Sequence, residues 1–123
     1  MTDPLVSVIV PVFNGADTLE RSVDSLLDQT LKALEIILIN DGSSDGSGDL
    51  IDRLAARHPQ IRAVHNPQNQ GVHETRLNGL HAATAPWIGF LDADDIARPE
   101  MFERLQAAGE QHRADIVVCG AYR

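Results

Sequence analysis

The sequence predicts an α/β fold in which a mostly parallel sheet carries helices on both faces. Three short apolar segments, 5–12, 35–40 and 86–91, are typical of buried parallel strands, and the first of them is β-branched and too apolar for a half-exposed strand. Segments with apolar residues at helical spacing separate them. This alternation implies crossover connections between parallel strands, and a length of 123 residues suits a single domain.

Four helices are predicted between and after these strands. Their ranges are 17–29, 47–57, 72–83 and a last helix that opens at 98–100. Asp17 and Glu20 have the spacing of a capping pair at the start of the first helix. Pro59 ends the second helix, and Pro99 lies in the first turn of the last one.

Two further strands are predicted with shorter or terminal sequences. Ile61–Val64 is a short strand, and Asp115–Cys119 is an apolar strand near the end of the chain. Cys119 lies in the apolar run of that strand, which favours a small buried hydrophobic side chain. A terminal apolar strand leaves an open edge, so we expect self-association or a missing continuation.

Composition excludes several classes of function. The chain has 18 acidic and 10 basic residues, and its formal charge of −8 opposes binding to nucleic acid or to an anionic membrane surface. A single cysteine excludes an internal disulfide and a cysteine-rich metal site. No apolar stretch reaches the ~20 residues of a membrane span, and the N-terminus lacks a signal-peptide pattern. These features favour a cytoplasmic protein.

An acidic segment follows the third apolar strand, at the edge of the sheet where open α/β folds bind ligands. It contains Asp92, Asp94 and Asp95 within four residues. A solvated acidic turn is one interpretation. The other is a site for a hard divalent cation such as Mg²⁺ or Mn²⁺, whose open coordination positions a diphosphate can fill.

Candidate site residues also follow the first two strands. Phe13 and Asn14 come after the first, and Asp41 ends the second, where its carboxylate can accept a hydrogen bond from a base or a sugar. A cap for the next helix is the alternative interpretation there, and it is the favoured one for Ser44 and Asp45.

Four segments carry a family resemblance, in this order along the chain: Val8–Asn14, Gln29-Thr30, Asn40–Asp45 and Phe90–Asp95. Together they resemble the family 2 glycosyltransferases, and the resemblance covers nearly the whole chain. It implies a Rossmann-like GT-A fold and inverting transfer of a sugar from a nucleotide diphosphate donor, commonly a UDP-sugar. It also implies Mn²⁺ or Mg²⁺ as cofactor and a glycan or lipid-linked saccharide as acceptor. Cell-envelope polysaccharide synthesis, in the cytoplasm or at the inner face of the membrane, would be the setting.

The resemblance implies nucleotide-binding roles for residues at the first two strand ends. Pro11, Phe13 and Asn14 would line the base pocket, with Phe13 where the family often has tyrosine. Its ring can stack on a base, although the hydroxyl is lost. Asp41 would accept a hydrogen bond from the base.

The remaining matches imply contacts to the ribose, the phosphates and the metal. Asp92 would contact the ribose or the metal, and Asp94 would be the chief metal ligand. Arg76 matches an arginine near the donor phosphates or ribose. Gly71 and Gly79 match glycines of the family.

The sequence departs from the family pattern around Arg76. Leu77 stands where the family usually has an asparagine, and His73 stands where a small residue is common. Either Asn78 compensates through a shifted helix, or this part of the donor site is altered. An exposed helix histidine is the favoured interpretation of His73.

The length also departs from the family. A full catalytic domain is longer, and its later part supplies the acceptor site and the general base. Residues 1–123 are therefore expected to form the donor-binding part, with the catalytic base unknown and outside them. A nucleotide-sugar-binding module without transferase activity is the alternative. A phospho-acceptor receiver domain is excluded, because Phe13-Asn14 replaces its acidic pair, and a P-loop nucleotidase is excluded because no Gly-Lys pair exists.

Overall fold

Four parallel strands form the centre of the protein in a computed structural model that describes residues 3–119. The strands are β1 (Val6–Val12), β2 (Leu34–Asp41), β3 (Ile61–Asn66) and β4 (Trp87–Phe90). The helices are α1 (Leu19–Leu27), α2 (Ser47–Arg57), α3 (Val72–Ala82) and α4 (Met101–His112). The order across the sheet is β3-β2-β1-β4, and every neighbouring pair is parallel. The predicted α/β architecture is thus confirmed.

The two central strands, β1 and β2, are buried on both faces. They are in register from Val6 opposite Leu34 to Val12 opposite Asn40. Because all strands run in the same direction, the residues that follow β1, β2 and β4 lie at the same end of the sheet, called here its carboxyl edge. The candidate site lies at this carboxyl edge.

Helices cover both faces of the sheet. On one face Val8 and Val10 belong to a core cluster with residues of α1, α2 and α4, including Phe102. On the other face Ile9 and Ile39 form a smaller cluster, against which α3 packs. Burial of aliphatic side chains on both faces supplies most of the stabilisation in a chain so poor in aromatic residues.

The predicted capping pair at the start of the first helix is wrong. Helix α1 begins at Leu19, its N-cap is Thr18, and no side chain caps it. The backbone explains this, since the N–H groups of Thr18 and Leu19 both donate to the Gly15 carbonyl, at 3.1 and 2.9 Å. Asp17 therefore precedes the N-cap residue, and a carbonyl of the turn after β1 accepts the first backbone N–H groups at the helix start.

Strand β4 is shorter and more exposed than predicted. It spans four residues, and Ile88 and Phe90 are 36% and 47% exposed. The strand lies at the edge of the sheet, beyond the region over which α3 packs against β1 and β2. The face carrying Trp87 and Gly89 packs against α4, and on the other face the Arg76 guanidinium carbon of α3 lies 6.0 Å from the centroid of the Phe90 ring.

The predicted terminal strand is also wrong. Helix α4 ends at His112, and its C-cap residue Arg113 adopts a left-handed conformation with φ 51°. Residues 115–119 form no strand, Ile116 and Val118 are 82% and 83% exposed, and Cys119 is exposed as well, against the burial predicted for it. An apolar run forms a strand only with a pairing partner, and no partner lies beside it among residues 3–119. Self-association through residues 115–119 stays a prediction.

None of the helices within residues 3–119 has the length and apolar character needed to cross a bilayer.

Candidate functional site at the carboxyl edge of the sheet

A groove with a volume of about 440 Å³ opens between the end of β1 and the segment after β4. It is lined by Pro11, Phe13, Asn14, Gly15, Asp17, Thr18, Asp92, Ala93 and Asp94. These two strands are parallel neighbours, so the residues that follow them face each other across the groove. The structure thus brings five of the predicted site residues together, although Gly15, Asp17 and Thr18 were missed. Their position directly after the strand end was the available signal.

The acidic wall of the groove gathers three carboxylates. Oxygens of Asp92, Asp94 and Asp95 lie within 4.8 Å of one another, and all three residues are exposed. Burial, followed by the negative charges of Asp94 and Asp92, raises the pKa of Asp95. Oxygen donors at this spacing fit a hard divalent cation, which would relieve that repulsion.

Arg76 of α3 lies beside this acidic wall. Its Nη2 is 3.5 Å from Asp92 Oδ1, and its guanidinium carbon lies 6.0 Å from the centroid of the Phe90 ring. Its Nε is buried without a hydrogen-bond partner among the described residues. The structure therefore places the predicted phosphate-side arginine next to the predicted metal-side carboxylates.

The opposite wall is held by Asn14. Its φ of 51° is a left-handed conformation that asparagine tolerates. Its Oδ1 accepts from the backbone N–H groups of Ser44 and Asp45 at 2.8 and 3.3 Å, and its own N–H donates to Ser43 Oγ at 2.9 Å. These bonds tie the end of β1 to the loop after β2, while the Phe13 ring beside them stays 55% exposed.

Asp45 also links the loop after β1 to the loop after β2, and it accepts a hydrogen bond at the start of α2. Its Oδ1 accepts from the Ser47 N–H at 2.9 Å, and its Oδ2 accepts from the Ala16 N–H at 3.2 Å. Hydrogen bonds from the hydroxyl and the backbone of Ser47 lower the pKa of Asp45. The N-cap of α2 is Gly46 and no side chain caps the helix, so the cap predicted at Ser44 or Asp45 is wrong, although Asp45 does bond the N–H of the first helical residue. The Ser44 N–H and hydroxyl bond to Asn14 instead.

Asp41 has partners other than those that the resemblance implies. It is 3% exposed, and it accepts bonds from Asn66 Nδ2 and from the backbone N–H groups of Gln70 and Gly71, at 3.1, 2.8 and 3.1 Å. Burial raises the pKa of Asp41, but hydrogen bonds from Gln70, Asn66, Thr75 and Gly71 outweigh it, and the net pKa is lowered. The carboxylate thus holds the loop between β3 and α3 and does not line the groove.

The structure also locates the residues that depart from the family pattern. Asn78 Nδ2 donates to Asn66 Oδ1 at 3.0 Å and to Gln70 Oε1 at 3.2 Å, so this amide supports the same loop. His73 is exposed on the first turn of α3, as favoured for it. Gly71 has φ 92°, a conformation that suits glycine, and explains one of the two matched glycines.

Comparison with known proteins places these motifs in one family. The sequence model described as Glycosyl transferase family 2 matches residues 7–123. The uncharacterized glycosyltransferase EpsJ of Bacillus subtilis (strain 168) is 46% identical over 98% of this chain and 35% of its own length. The chondroitin synthase of Pasteurella multocida (strain Pm70) is 37% identical over 81% of this chain and 10% of its own length. The chain thus spans at most about a third of these two relatives.

Solved structures share the fold. The crystal structure of S. aureus TarS 1-349 in complex with UDP-GlcNAc superposes with a TM-score of 0.81 at 23% identity, over 89% of this chain and 32% of that one. The mannosyltransferase PcManGT from Pyrobaculum calidifontis, in complex with GDP-Man and Mn²⁺, gives 0.70 at 28% identity, over 77% and 29%. The predicted GT-A fold is confirmed. Because the family model spans all but the first six residues, this chain belongs to glycosyl transferase family 2.

Proposed function

We propose that the groove between β1 and β4 binds a nucleoside diphosphate sugar together with a divalent cation. The observation that carries this proposal is the pairing of the groove's two walls. An exposed aromatic ring, Phe13, stands on one wall, and the carboxylates of Asp92 and Asp94 stand on the other, with Arg76 beside them. An aromatic face suits a base, and a cation between carboxylates and phosphates suits a diphosphate.

Each wall has a separate task in this proposal. Phe13 stacks on the base, with Pro11 and Asn14 shaping the pocket around it. Arg76 contacts the phosphates or the ribose from the acidic side. Its planar guanidinium can form paired hydrogen bonds to phosphate oxygens, and the side chain is 43% exposed.

Asp94 and Asp92 are the proposed ligands of Mn²⁺ or Mg²⁺. Their spacing with Asp95 supports the assignment, as does the Mn²⁺ in the complex of PcManGT. When bound, the cation supplies positive charge to the diphosphate leaving group. The protein's net charge of −8 would otherwise repel that group.

In this proposal Asp41 supports the site by holding the loop between β3 and α3. Its two oxygens already accept bonds from the Asn66 side chain and from the backbone of the β3–α3 loop. That loop leads directly into α3, which carries Arg76. Asp41 therefore affects donor binding by helping to position α3. Its contacts support this role and not a direct hydrogen bond to the base.

The proposed reaction is inverting transfer of the sugar to a glycan or lipid-linked saccharide. Relatives named as glycosyltransferases and as a chondroitin synthase support the reaction class. An inverting transfer needs a base for the acceptor hydroxyl. We assign that base to none of residues 3–119, because Asp92 and Asp94 are given to the cation and no observation supports this role for Asp17, the third carboxylate that lines the groove.

Calorimetry with UDP and GDP tests the proposal, each with Mn²⁺ and with EDTA. We expect measurable binding of at least one nucleotide with Mn²⁺ and a loss of most of that affinity in EDTA. The free bases uracil and guanine serve as ligands without a diphosphate, and their binding should not depend on the cation. Equally tight binding of the nucleotide in EDTA would overturn the metal assignment. Absence of nucleotide binding under both conditions would overturn the donor site.

A further inference from the structure

Helix α1 and the residues flanking it present a row of polar side chains to the segment that carries the acidic residues. We call Thr18, Ser22, Ser25 and Gln29 the polar row. Ser22 and Ser25 lie in the helix, Thr18 is its N-cap and Gln29 follows its C-cap, at intervals of four, three and four residues. Ser22 and Gln29 are buried, at 1% and 0% exposure. Buried polar groups need partners, and these find theirs in residues 93–102.

The first half of the polar row binds the acidic segment itself. Thr18 Oγ1 donates to the Ala93 carbonyl at 2.9 Å. Ser22 Oγ lies 2.8 Å from the same carbonyl and also contacts the carbonyl of Asp95, so its single proton is shared between the two. The bonded carbonyls belong to residues directly next to, or within, the Asp92–Asp95 cluster.

The second half of the row binds the continuation of the segment. Ser25 Oγ accepts from the Ala97 N–H at 3.0 Å. The Gln29 side chain donates to the Arg98 carbonyl at 2.6 Å and accepts from the Phe102 N–H at 3.1 Å. The row therefore holds the whole connection between β4 and α4 by its backbone and leaves the carboxylates of the cluster exposed.

We propose that Ser22, together with Thr18, is a positioning residue for the cation site, an inference that rests on the proposed function. A carboxylate pair binds a small, hard cation well only when its spacing is held. The bond to the Ala93 carbonyl fixes the backbone between the two ligands Asp92 and Asp94, and the bond to the Asp95 carbonyl fixes the backbone directly after Asp94. Loss of outer partners of this kind typically lowers metal affinity by about 10–100-fold.

Ser22→Ala removes both carbonyl contacts and leaves the helix intact, since alanine favours helices. Thr18→Val removes one contact at nearly constant shape, and Thr18→Ser keeps the hydroxyl. The matched control is Ser7→Ala. Ser7 is also a buried hydroxyl that bridges two groups, Glu35 and the Ala85 N–H, but it lies at the opposite end of β1 from the groove.

Two measurements on the purified protein separate positioning from general destabilisation. Calorimetric Mn²⁺ affinity should fall about tenfold in Ser22→Ala, less in Thr18→Val, and not in Thr18→Ser or Ser7→Ala. Amide hydrogen exchange should accelerate at Asp95, whose N–H bonds to the Asp92 carbonyl, in Ser22→Ala and not in Ser7→Ala. The exchange measurement needs no metal.

The outcomes keep this inference distinct from the proposed function. Unchanged Mn²⁺ affinity and unchanged exchange in a folded Ser22→Ala protein would overturn the inference and leave the proposed function standing. Wild-type protein without Mn²⁺ binding would overturn the metal site, and with it the positioning role, even if exchange in the acidic segment still responds to Ser22→Ala. A parallel loss in Ser7→Ala would show that stability alone controls affinity and would also overturn the inference.

Discussion

Single residues at the strand ends act largely as supports. Asn14 and Asp45 link the loops after β1 and β2, and Asp41 gathers the loop between β3 and α3. Each side chain satisfies backbone N–H groups that would otherwise be unpaired near the site, and such groups are costly when they lack partners. The side chains at this edge of the sheet therefore divide into those that hold loops and those, such as Phe13 and Asp94, that are exposed in the groove.

Asp41→Asn should destabilise the protein at neutral pH by about 2 kcal/mol. The charged carboxylate accepts bonds that an amide NH₂ group cannot accept, and the variant leaves backbone donors of the loop without a partner. Chemical denaturation at pH 7 measures the difference. The exposed aspartate Asp24, changed to Asn, is the control and should leave the free energy of unfolding nearly unchanged.

The difference in unfolding free energy between wild type and Asp41→Asn should depend on pH. Because the folded state lowers the pKa of Asp41 below 3.8, its stabilisation is fully present above that pH. It is lost as the pH falls through the folded value. The difference in unfolding free energy between wild type and Asp41→Asn should therefore shrink below pH 3.8. A difference that stays constant down to the acid-unfolding range would contradict the bonding of this carboxylate.

Asp94→Ala should abolish the dependence of nucleotide binding on Mn²⁺. The variant removes one of the two proposed ligands, and its side chain is exposed, so folding should be preserved. Calorimetric titration of UDP or GDP with Mn²⁺ and with EDTA should give the same weak affinity in the variant. Asp24→Asn should bind like the wild type. Retention of the cation effect in Asp94→Ala would remove this residue from the metal site.

At the scale of elements, the packing of α3 on the sheet depends on one glycine. A Cβ at Gly79 would lie 2.5 Å from Ile9 Cγ2 and 2.7 Å from Ile39 Cδ1, and both isoleucines are fully buried. The helix therefore approaches the sheet closely there, which explains the second glycine of the family match. Since α3 also carries Arg76, this approach contributes to the position of the guanidinium beside the groove.

Gly79→Ala should destabilise the protein by about 2 kcal/mol, because the strain of overpacking exceeds the helix preference of alanine. Denaturant unfolding measures the change. In the control Gly48→Ala, the nearest atom to the new Cβ is the side-chain amide nitrogen of Asn40 at 3.0 Å, farther than the two isoleucine atoms beside Gly79, so a smaller effect is expected. Equal stability of Gly79→Ala and wild type would mean that α3 lies farther from the sheet.

At the scale of the whole molecule, a net charge of −8 acts on every charged ligand. A free nucleotide diphosphate is repelled, and a divalent cation is attracted. Both effects weaken with salt, since the Debye length falls from about 30 Å at 0.01 M to about 10 Å at 0.1 M. The charge of the chain therefore favours the cation-bound form of the donor.

Added salt should change the two affinities in opposite directions. Between low and moderate NaCl, binding of UDP in EDTA should strengthen, whereas binding of Mn²⁺ to the protein alone should weaken. Uridine carries no phosphate and is the control whose binding should stay constant. Calorimetry at two salt concentrations measures all three. If UDP in EDTA weakened with salt, local contacts such as Arg76 would outweigh the net charge.

Particular residues show how far the sequence alone could lead. Helix α2 matches its predicted range, because its apolar spacing and the proline after it are local signals. The sequence placed four residues at the strand ends where open α/β folds bind ligands, namely Phe13, Asn14, Asp92 and Asp94, and all four line one groove. Residues 115–119 failed because a strand depends on a partner that local sequence does not contain.

The sequence by itself determined the succession of strands and helices, the acidic edge and the family, all of which depend on short-range patterns and motif order. Only the tertiary structure decided which polar side chains support the site and which face the groove. Asp41 and Ser22 illustrate the reason. Asp41 binds residues 25 to 30 positions away, and Ser22 binds residues 71 and 73 positions away. Contacts at such separations follow from the packing of strands and helices and leave no periodic trace in the sequence.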